Sequence, residues 1–372
     1  MSKTIVHLAS GDLWAGAEVQ LLQLVSQYTL SQENILIVVL FNSGQLEAEL
    51  NEKDVEVIVL DEKIFSSFAI ARKFLTIVKE SNADIIHTHG FKENVLGGIV
   101  GWLVGCKSVR TEHGASEFLT MSFSPRRFVS AFLDEFSGKL FQQRIIAVSD
   151  ELKDKLTPIY SASKITVIEN SLNFERLREQ SLEKINLTLS ESQFNIGFVG
   201  RFVSVKRIDR FYDIAKKTIE LNPESNIHFY MIGDGPLWND LDKKIKLDKM
   251  DNKIHLIGFV QNSAPYIKLF NLLLFTSDHE GLPMTLLETM SLAVPIMSTN
   301  LPTVKKVLCD GECGFIIDSN KVDDFVAAIA NIVVDSSDAL SKATQAQRIL
   351  EKNYSIEKNI QQYVSLYDEI SV

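Results

Sequence analysis

The feature that most constrains the fold is an alternation of short apolar runs with helix-like segments. This alternation occurs in both halves of the chain and is interrupted between them by a polar stretch. The runs of the first half are TIVHLA, NILIVVLF, VEVIVL, ADIIHTH, KSVRTEH, RIIAVS and KITVIEN. After a polar stretch at residues 171–193, interpreted as a linker, the runs are FNIGFVG, IHFYMIG, KIHLIGFV, LLLFTS, AVPIMST and GFIID. Strands that alternate with helices indicate a parallel sheet covered on both faces. The sequence therefore predicts an α/β chain with two Rossmann-like domains and a cleft at the carboxyl ends of both sheets.

Length, charge and cysteine content narrow the class of protein. A chain of 372 residues is long for one core, so two domains are expected. A net charge of −10 argues against a nucleic-acid partner held by overall charge. The three cysteines favour a reducing compartment, and the N-terminus lacks a signal-peptide pattern. The apolar run VLGGIVGWLVG is too short to span a bilayer and predicts a buried helix. We expect a cytoplasmic protein.

The loop VGRFVSVKR follows the first strand of the second half, where open α/β sheets bind ligands. Arg201 offers a forked donor and Lys206 a mobile ammonium, which together suit a diphosphate. A solvated basic loop is the alternative interpretation. The next strand ends in GDGPL, which predicts a tight turn and is not the GxGxxG pattern of dinucleotide enzymes.

The stretch EGLPMTLLE places Glu280 and Glu288 around the predicted start of a helix, with Pro283 as its first residue. Free N–H groups at such a start, together with the helix dipole, bind anions. The two carboxylates would accept hydrogen bonds from hydroxyls on either side of that anion, as in a nucleoside diphosphate sugar. By spacing alone, the simpler interpretation is that Glu280 is a capping acid and that Glu288 is a solvated acid on the helix. The free N–H groups expected at this helix start belong to Met284, Thr285 and Leu286.

Polar residues also follow strands of the first half. In SGDLWAGAE, Gly16 allows close approach of the backbone to a ligand, and in TEHG, His113 is a candidate substrate contact. His87, inside a strand, is interpreted as a hydrogen-bonded core histidine. No metal site is predicted, because carboxylates that would complete one are not at an obvious spacing.

Taken in order, GAE, EHG, GR followed by K, GDGPL and EGLPMTLLE resemble the retaining glycosyltransferases of the GT-B fold, family 4, over nearly the whole chain. The resemblance implies an acceptor domain at residues 1–174, a nucleotide-sugar domain at 175–354 and a C-terminal helix at 355–372 that returns to the first domain. Two departures are AGAE, where the family has two glycines, and VIENSLN, where it has Asn-Gly-hydrophobic-Asp.

The resemblance also implies residue roles and a reaction. The activity implied is transfer of a sugar, with retention, from a UDP-, GDP- or ADP-sugar in bacterial cell-surface polysaccharide, lipopolysaccharide or glycolipid synthesis. No metal or other cofactor is implied. The roles are: Arg201 and Lys206 on the diphosphate, Glu280 on sugar hydroxyls, Glu288 on the ribose, Val260 on the base, Gly16 on the diphosphate, and His113 near the anomeric carbon. His113, Glu280 and Lys206 are the residues of the set expected to act in catalysis.

The acceptor is expected to be a glycan or a lipid-linked sugar, bound by the first domain. Its most distinctive segment is 117–144, where Phe128, Phe132 and Phe136 recur at helical spacing after Arg126 and Arg127. One interpretation is a docking surface for the acceptor or for the cytoplasmic face of the membrane. A helix that buries this stripe in the core is the favoured alternative.

Two rival functions share the architecture. A nucleotide-sugar epimerase would consume the donor without an acceptor, whereas a phosphorylase of the pyridoxal type would carry a cofactor lysine. A non-catalytic subunit would bind the donor but would show no slow hydrolysis of it. An NAD oxidoreductase is disfavoured because the GxGxxG pattern is missing.

Overall fold

The computed structural model describes residues 3–12, 14, 16–31, 35–53, 55–113, 125–187, 189–190, 192–318 and 321–371. The chain divides into two compact units. Unit 1 is Met1–Ser171 with Ile356–Val372, and unit 2 is Leu172–Ser355. Each unit carries its own parallel sheet, so the predicted two-sheet α/β architecture is confirmed.

Unit 1 holds a seven-stranded sheet in the order β3-β2-β1-β4-β5-β6-β7. Its strands are β1 (Thr4–Ala9), β2 (Ile35–Leu40), β3 (Glu56–Val59), β4 (Ile85–Thr88), β5 (Lys107–Glu112), β6 (Arg144–Ala147) and β7 (Ile165–Val167). Its helices are α1 (Gly16–Ser31), α2 (Gln45–Asn51), α3 (Ser67–Glu80), α4 (Phe91–Val104), α5 (Pro125–Leu140), α6 (Asp150–Leu156) and, from the end of the chain, α15 (Ile356–Ser371).

Unit 2 holds a six-stranded sheet in the order β10-β9-β8-β11-β12-β13. Its strands are β8 (Phe194–Val199), β9 (Ile227–Ile232), β10 (Ile254–Gly258), β11 (Leu272–Phe275), β12 (Ile296–Thr299) and β13 (Phe315–Ile317). Its helices are α7 (Phe174–Gln180), α8 (Ile208–Leu221), α9 (Trp238–Leu247), α10 (Ala264–Ile267), α11 (Met284–Ser291), α12 (Pro302–Val307), α13 (Val322–Val334) and α14 (Ser337–Asn353).

The C-terminal helix α15 belongs to the core of unit 1. Its buried face carries Ile360, Tyr363 and Tyr367, which pack in one cluster with Leu21 and Val25 of α1. Apolar residues three and four apart form one stripe of a helix, and this stripe covers the same sheet that α1 covers. The predicted return of the final helix to the first domain is therefore confirmed.

The polar stretch interpreted as a linker contains a short helix, α7, so that interpretation was incomplete. Asn173 caps α7 by accepting a hydrogen bond from the Arg176 N–H at 2.9 Å, and Leu177 is buried. Asn173 stands where the family pattern has Asp, and either side chain serves as an N-cap. Ser149 caps α6 in the same way, since its hydroxyl accepts from the Leu152 N–H at 3.2 Å.

Two further predictions about helices need correction. The run VLGGIVGWLVG lies in α4, but only one side of α4 is buried, and Trp102 and Leu103 are exposed. The stripe of α5 was expected to face the core, whereas Phe132, Phe136 and Leu140 are exposed. Residues 117–124 of that segment, and the side chains of residues 125–128, lie outside the described residues. None of the helices in the described part of the chain combines the length and apolar character needed to cross a membrane.

Candidate functional site

The loop after β8 is held by the backbone of GDGPL, which follows β9. The Phe202 N–H donates to the Asp234 carbonyl at 2.8 Å, and the Leu237 N–H donates to the Phe202 carbonyl at 3.2 Å. A Cβ on Gly233, whose φ is +131°, would lie 1.9 Å from the Gly200 carbonyl oxygen. GDGPL therefore fixes the loop containing Arg201 through backbone contacts. Only glycine permits the backbone at Gly233 to lie this close to the Gly200 carbonyl.

A second set of hydrogen bonds joins residues 205–207 to the loop after β11. The Thr276 hydroxyl donates to the Lys206 carbonyl at 3.0 Å, and the Asp278 N–H donates to the Val205 carbonyl at 2.9 Å. The Asp278 carboxylate accepts from Arg207 at 3.0 Å and from the buried Arg210 at 2.8 Å. These contacts place Lys206 beside the start of EGLPMTLLE.

Lys206 and Glu280 form a bidentate ion pair. The Lys206 Nζ lies 2.7 Å from Oε1 and 2.8 Å from Oε2 of Glu280, which is buried. The Ser277 hydroxyl donates to Oε1 at 2.5 Å. A charged pair with this geometry orients both groups and holds the ammonium in one place. Two of the three residues predicted to act in catalysis are thus in direct contact.

The start of α11 differs from the prediction in two respects. Pro283 is the residue before the helix, with an extended ψ of 128°, rather than its first residue. The Leu286 N–H donates to the Pro283 carbonyl at 3.1 Å, so it is not free to bind an anion as predicted. The cause is a tight first turn, in which the third N–H reaches back three residues. Among the described residues, neither the Met284 nor the Thr285 N–H group donates a hydrogen bond.

Glu288 lies one turn into α11 and is half-buried. Its carboxylate accepts a hydrogen bond from the Ser263 hydroxyl at 3.2 Å. Burial raises the pKa of Glu288 to about 7, and the Ser263 hydroxyl opposes that shift. A carboxyl group that titrates near neutrality and has capacity to accept further hydrogen bonds is a candidate for binding a diol.

The other predicted residues fall in both units. In unit 2, Arg201 is exposed in the loop after β8, and Val260 is half-buried two residues beyond β10. In unit 1, Gly16 is the exposed first residue of α1, and His113 directly follows β5. Ala15, the departure from the family pattern, lies outside the described residues.

His113 belongs to a group of four imidazoles at the centre of the unit 1 sheet. Ring centroids lie 5.8 Å apart for His89 and His113, 4.2 Å for His87 and His89, and 5.0 Å for His7 and His87. Burial lowers the pKa of His113 to about 4 and that of His7 to about 3, so both rings are neutral at pH 7. Neither nitrogen of His113 has a hydrogen-bond partner among the described residues.

Three of these imidazoles bring nitrogen atoms within 4.8 Å of one another, a spacing that a metal ion accepts. His87, however, already uses both nitrogens, toward the Tyr367 hydroxyl at 2.6 Å and the Thr111 hydroxyl at 2.8 Å. His7 Nδ1 and His89 Nε2 form a hydrogen bond of 3.0 Å with each other. His87 is a hydrogen-bonded core histidine, as predicted, and His7 and His89 are hydrogen-bonded to each other.

Sequence reasoning missed several residues that build the site. Thr276 and Asp278 hold the Lys206 loop, Ser277 orients Glu280, and Ser263 orients Glu288. The run of polar residues in FTSDHE, directly after a buried strand, was a signal for the first three. Ser263 is separated from Glu288 by 25 residues, and nothing in the sequence links them.

Comparisons with known proteins agree for both halves of the chain. The model described as Glycosyltransferase Family 4 matches residues 14–176, and the model described as Glycosyl transferases group 1 matches residues 193–335. The chain is 26% identical to the UDP-Gal:alpha-D-GlcNAc-diphosphoundecaprenol alpha-1,3-galactosyltransferase of Escherichia coli over 80% of this chain and 78% of that one. It is 23% identical to the capsular polysaccharide biosynthesis glycosyltransferase CapM of Staphylococcus aureus over 91% of both.

Solved structures agree on the fold. Anabaena Alr3699/HepE in complex with UDP and glucose matches with a TM-score of 0.83 and 18% identity, covering 99% of this chain and all of the other. Staphylococcus aureus TarM, with UDP among its ligands, matches with a TM-score of 0.76 and 12% identity, over 99% of this chain and all of the other. Both matched models describe sugar transferases, and each lies on one of the two sheets. The chain therefore belongs to the family 4 glycosyltransferases of group 1, with the GT-B fold.

Proposed function

We propose that this glycosyltransferase moves a sugar from a nucleoside diphosphate sugar to a lipid-linked or glycan acceptor, with retention of configuration. The observation that carries the proposal is the Lys206–Glu280 ion pair, because Glu280 lies in the loop that leads into α11, four residues before Met284. Cation, carboxylate and N–H donors in this order suit a diphosphate and an adjoining polyol. The Glu288 carboxylate supplies the acceptor for the ribose hydroxyls.

The chemical task of the site is to stabilise charge on the departing diphosphate. Lys206 and Arg201 supply positive charge, and the Met284 and Thr285 N–H groups supply donors that are already oriented. Such preorganised groups lower the barrier because they need no reorganisation when charge develops. Glu280 has two roles: it holds Lys206 in place and accepts hydrogen bonds from the donor sugar. We infer front-face attack assisted by the leaving phosphate, since none of the predicted site residues is an obvious nucleophile.

His113 is assigned to the donor sugar. Its low pKa keeps the imidazole neutral, so it offers one N–H donor and one acceptor nitrogen to sugar hydroxyls or to the acceptor. Gly16 and Val260 keep the roles that the family resemblance implies, at the diphosphate and at the base. No residue in this scheme requires a metal ion.

We propose UDP as the nucleotide and a diphospholipid-linked sugar as the acceptor. The Escherichia coli relative is named for a UDP-galactose donor and a diphosphoundecaprenol-linked acceptor. The Anabaena protein was crystallised in complex with UDP and glucose. With such an acceptor, we propose that the enzyme acts in the cytoplasm, in peripheral contact with the inner membrane.

Steady-state kinetics of Lys206→Ala and Glu280→Ala test the site. We expect each change to lower kcat/KM for sugar transfer by about 10²–10³-fold, as for loss of one preorganised charge-stabilising group. Lys246→Ala is the control, because Lys246 is an exposed lysine on α9 that also pairs with a carboxylate. Near-normal transfer by both site variants would refute the assignment. Conversion of the donor into an epimeric nucleotide sugar, without any acceptor and without release of the nucleotide, would instead identify an epimerase.

A further inference from the structure

Arg110 of β5 is buried and contacts one group with each of its three guanidinium nitrogens. Nη1 donates to the Asp134 carboxylate of α5 at 2.9 Å, and Nη2 donates to the Tyr160 hydroxyl. Nε lies 2.9 Å from the carboxylate of Glu112, at the end of the same strand. The guanidinium also lies over the Tyr160 ring, with 4.8 Å between Cζ and the ring centroid. Two carboxylates therefore share one buried cation.

The two carboxylates differ in their hydrogen bonds. Asp134 accepts one from Arg110 and one from the Asn94 amide at 3.2 Å. Glu112 is equally close to Arg110, but the Nε–H does not point at it, so this contact is an ion pair without an aligned hydrogen bond. Among the described residues, no side chain donates a hydrogen bond to Glu112. The fold thus uses the acceptor capacity of Asp134 and leaves that of Glu112 available.

The cluster also carries more negative than positive charge, since one guanidinium faces two carboxylates. Tyr160 adds no charge at neutral pH, because burial raises its pKa to about 12. Burial raises the pKa of Glu112 as well, and the attraction of Arg110 opposes that shift. A charge that is removed from water without full compensation destabilises a fold. Proteins retain such local costs chiefly where a ligand is bound.

Glu112 lies at the edge of the sheet where open α/β folds bind ligands. It is the last residue of β5, directly before His113, and the carboxyl ends of parallel strands form that edge. Its side chain is 20% exposed, whereas that of Arg110 is 1% exposed. Side chains alternate between the two faces of a strand. Because Thr111 contacts His87 on one face, Glu112 and Arg110 lie on the other face, on the side of α5.

We propose that Glu112 binds a hydroxyl of the acceptor sugar. A carboxylate with available lone pairs, held in place by a buried guanidinium, suits a neutral hydroxyl donor and repels a phosphate. Glu112 belongs to unit 1, whereas Glu280 and Glu288, which the proposed function assigns to the donor, belong to unit 2. Arg110 is then a positioning residue that acts through Glu112. This assignment rests on the proposed function, because it requires an acceptor that is a sugar.

Sugar transfer by the whole 372-residue chain tests this role. The donor is whichever of radiolabelled UDP-glucose, UDP-galactose and UDP-N-acetylglucosamine the parent uses best, and the acceptor is a dilution series of a membrane lipid extract from the source organism. The variant is Glu112→Gln, which keeps the size of the side chain and removes its charge. We expect its apparent KM for the acceptor to rise about tenfold or more, because a hydrogen bond to a charged group is lost. The donor KM and the affinity for UDP should stay at the values of the parent.

Asp134→Asn is the matched control, because it removes the other carboxylate from the same guanidinium. A purely structural cluster would make the two variants behave alike. We expect Asp134→Asn to lower Tm, since Asp134 accepts two hydrogen bonds, and to leave the acceptor KM near that of the parent. Glu112→Gln should keep or raise Tm, because the uncompensated charge is gone and Arg110 keeps one carboxylate partner.

Three results with an active parent would overturn the assignment of Glu112. The Glu112→Gln variant keeps the acceptor KM of the parent, both variants raise that KM alike, or Glu112→Gln raises the donor KM instead. The last result would assign Glu112 to the donor sugar. A parent that binds UDP and transfers no sugar would refute the proposed function, and the assignment with it. An active parent whose Lys206 and Glu280 variants are impaired would leave the proposed function standing even if Glu112 fails.

Discussion

At the scale of single residues, Glu288 is the side chain whose protonation has the clearest consequence. Its pKa is raised to about 7 by burial, whereas an exposed glutamate titrates near 4.5. In the proposed function the ionised form accepts hydrogen bonds from the ribose diol. The carboxylate form becomes more populated as pH rises through 7, so donor binding should strengthen over that range.

Affinity for UDP measured by isothermal titration calorimetry tests this role. Between pH 8 and pH 6, the parent should lose about tenfold in affinity beyond what a Glu288→Gln variant loses, if only the ionised carboxyl binds the ribose. The phosphates of UDP titrate in the same range, but they do so for both proteins and cancel in the comparison. Parallel pH profiles for parent and variant would contradict the prediction that the ionised Glu288 carboxyl binds the ribose.

Residue chemistry also explains where the sequence prediction at α11 failed. The spacing of EGLPMTLLE correctly located the helix start within one residue, because Pro283 restricts the backbone there. The hydrogen bond of the Leu286 N–H to the Pro283 carbonyl depends on the tightness of one turn. Residue types do not specify that tightness, so one of the three predicted anion donors was wrong.

At the scale of elements, the GDGPL turn determines where the Arg201 loop lies. Gly233→Ala would place a methyl group 1.9 Å from the Gly200 carbonyl oxygen at a φ of +131°. We expect a loss of several kcal/mol in the free energy of unfolding and weaker UDP binding, since steric overlap adds to backbone strain. Gly105→Ala is the control: its φ is +76°, and a Cβ there meets nothing within 4 Å.

Thermal and urea unfolding of the two glycine variants provide the measurement. The Gly105 variant carries backbone strain alone, which costs roughly 1–2 kcal/mol. If Gly233→Ala costs no more than Gly105→Ala and binds UDP normally, the turn is not what fixes the loop.

The α5 helix shows what periodicity cannot decide at this scale. Phe132 and Phe136 recur at helical spacing, and that spacing correctly predicted the helix. It does not specify which way the stripe faces, because burial depends on the neighbouring element. The buried Arg110 forms an ion pair with Asp134 of α5, and the Ser137 hydroxyl donates a hydrogen bond to α4. The polar side of α5 therefore faces inward.

At the scale of the whole molecule, α15 makes unit 1 a discontinuous domain. The Leu172 N–H donates to the Tyr354 carbonyl at 3.0 Å, so the two chain crossings between the units lie next to each other. We predict that residues 172–355 fold alone and that residues 1–171 fold only when 356–372 are attached through a short Gly/Ser linker. Without α15, the cluster that includes Leu21, Val25 and Tyr28 loses its cover.

Expression of the three fragments, followed by circular dichroism and thermal unfolding, measures this. Cooperative unfolding of residues 1–171 without the helix would contradict the prediction. Failure of residues 172–355 to fold alone would contradict it as well, since that unit has its own core around Phe211, Phe229 and Phe325.

The sequence by itself determined the strand and helix order of both halves, the return of the final helix and the family, because these follow from local periodicity and from short ordered motifs. It also named Lys206, Glu280 and Glu288 as candidates. Only the tertiary structure decided that Lys206 and Glu280 form one ion pair, that burial raises the pKa of Glu288, and that the stripe of α5 faces outward. These properties depend on distances between residues far apart in the chain and on the water excluded around them, which residue order alone does not encode.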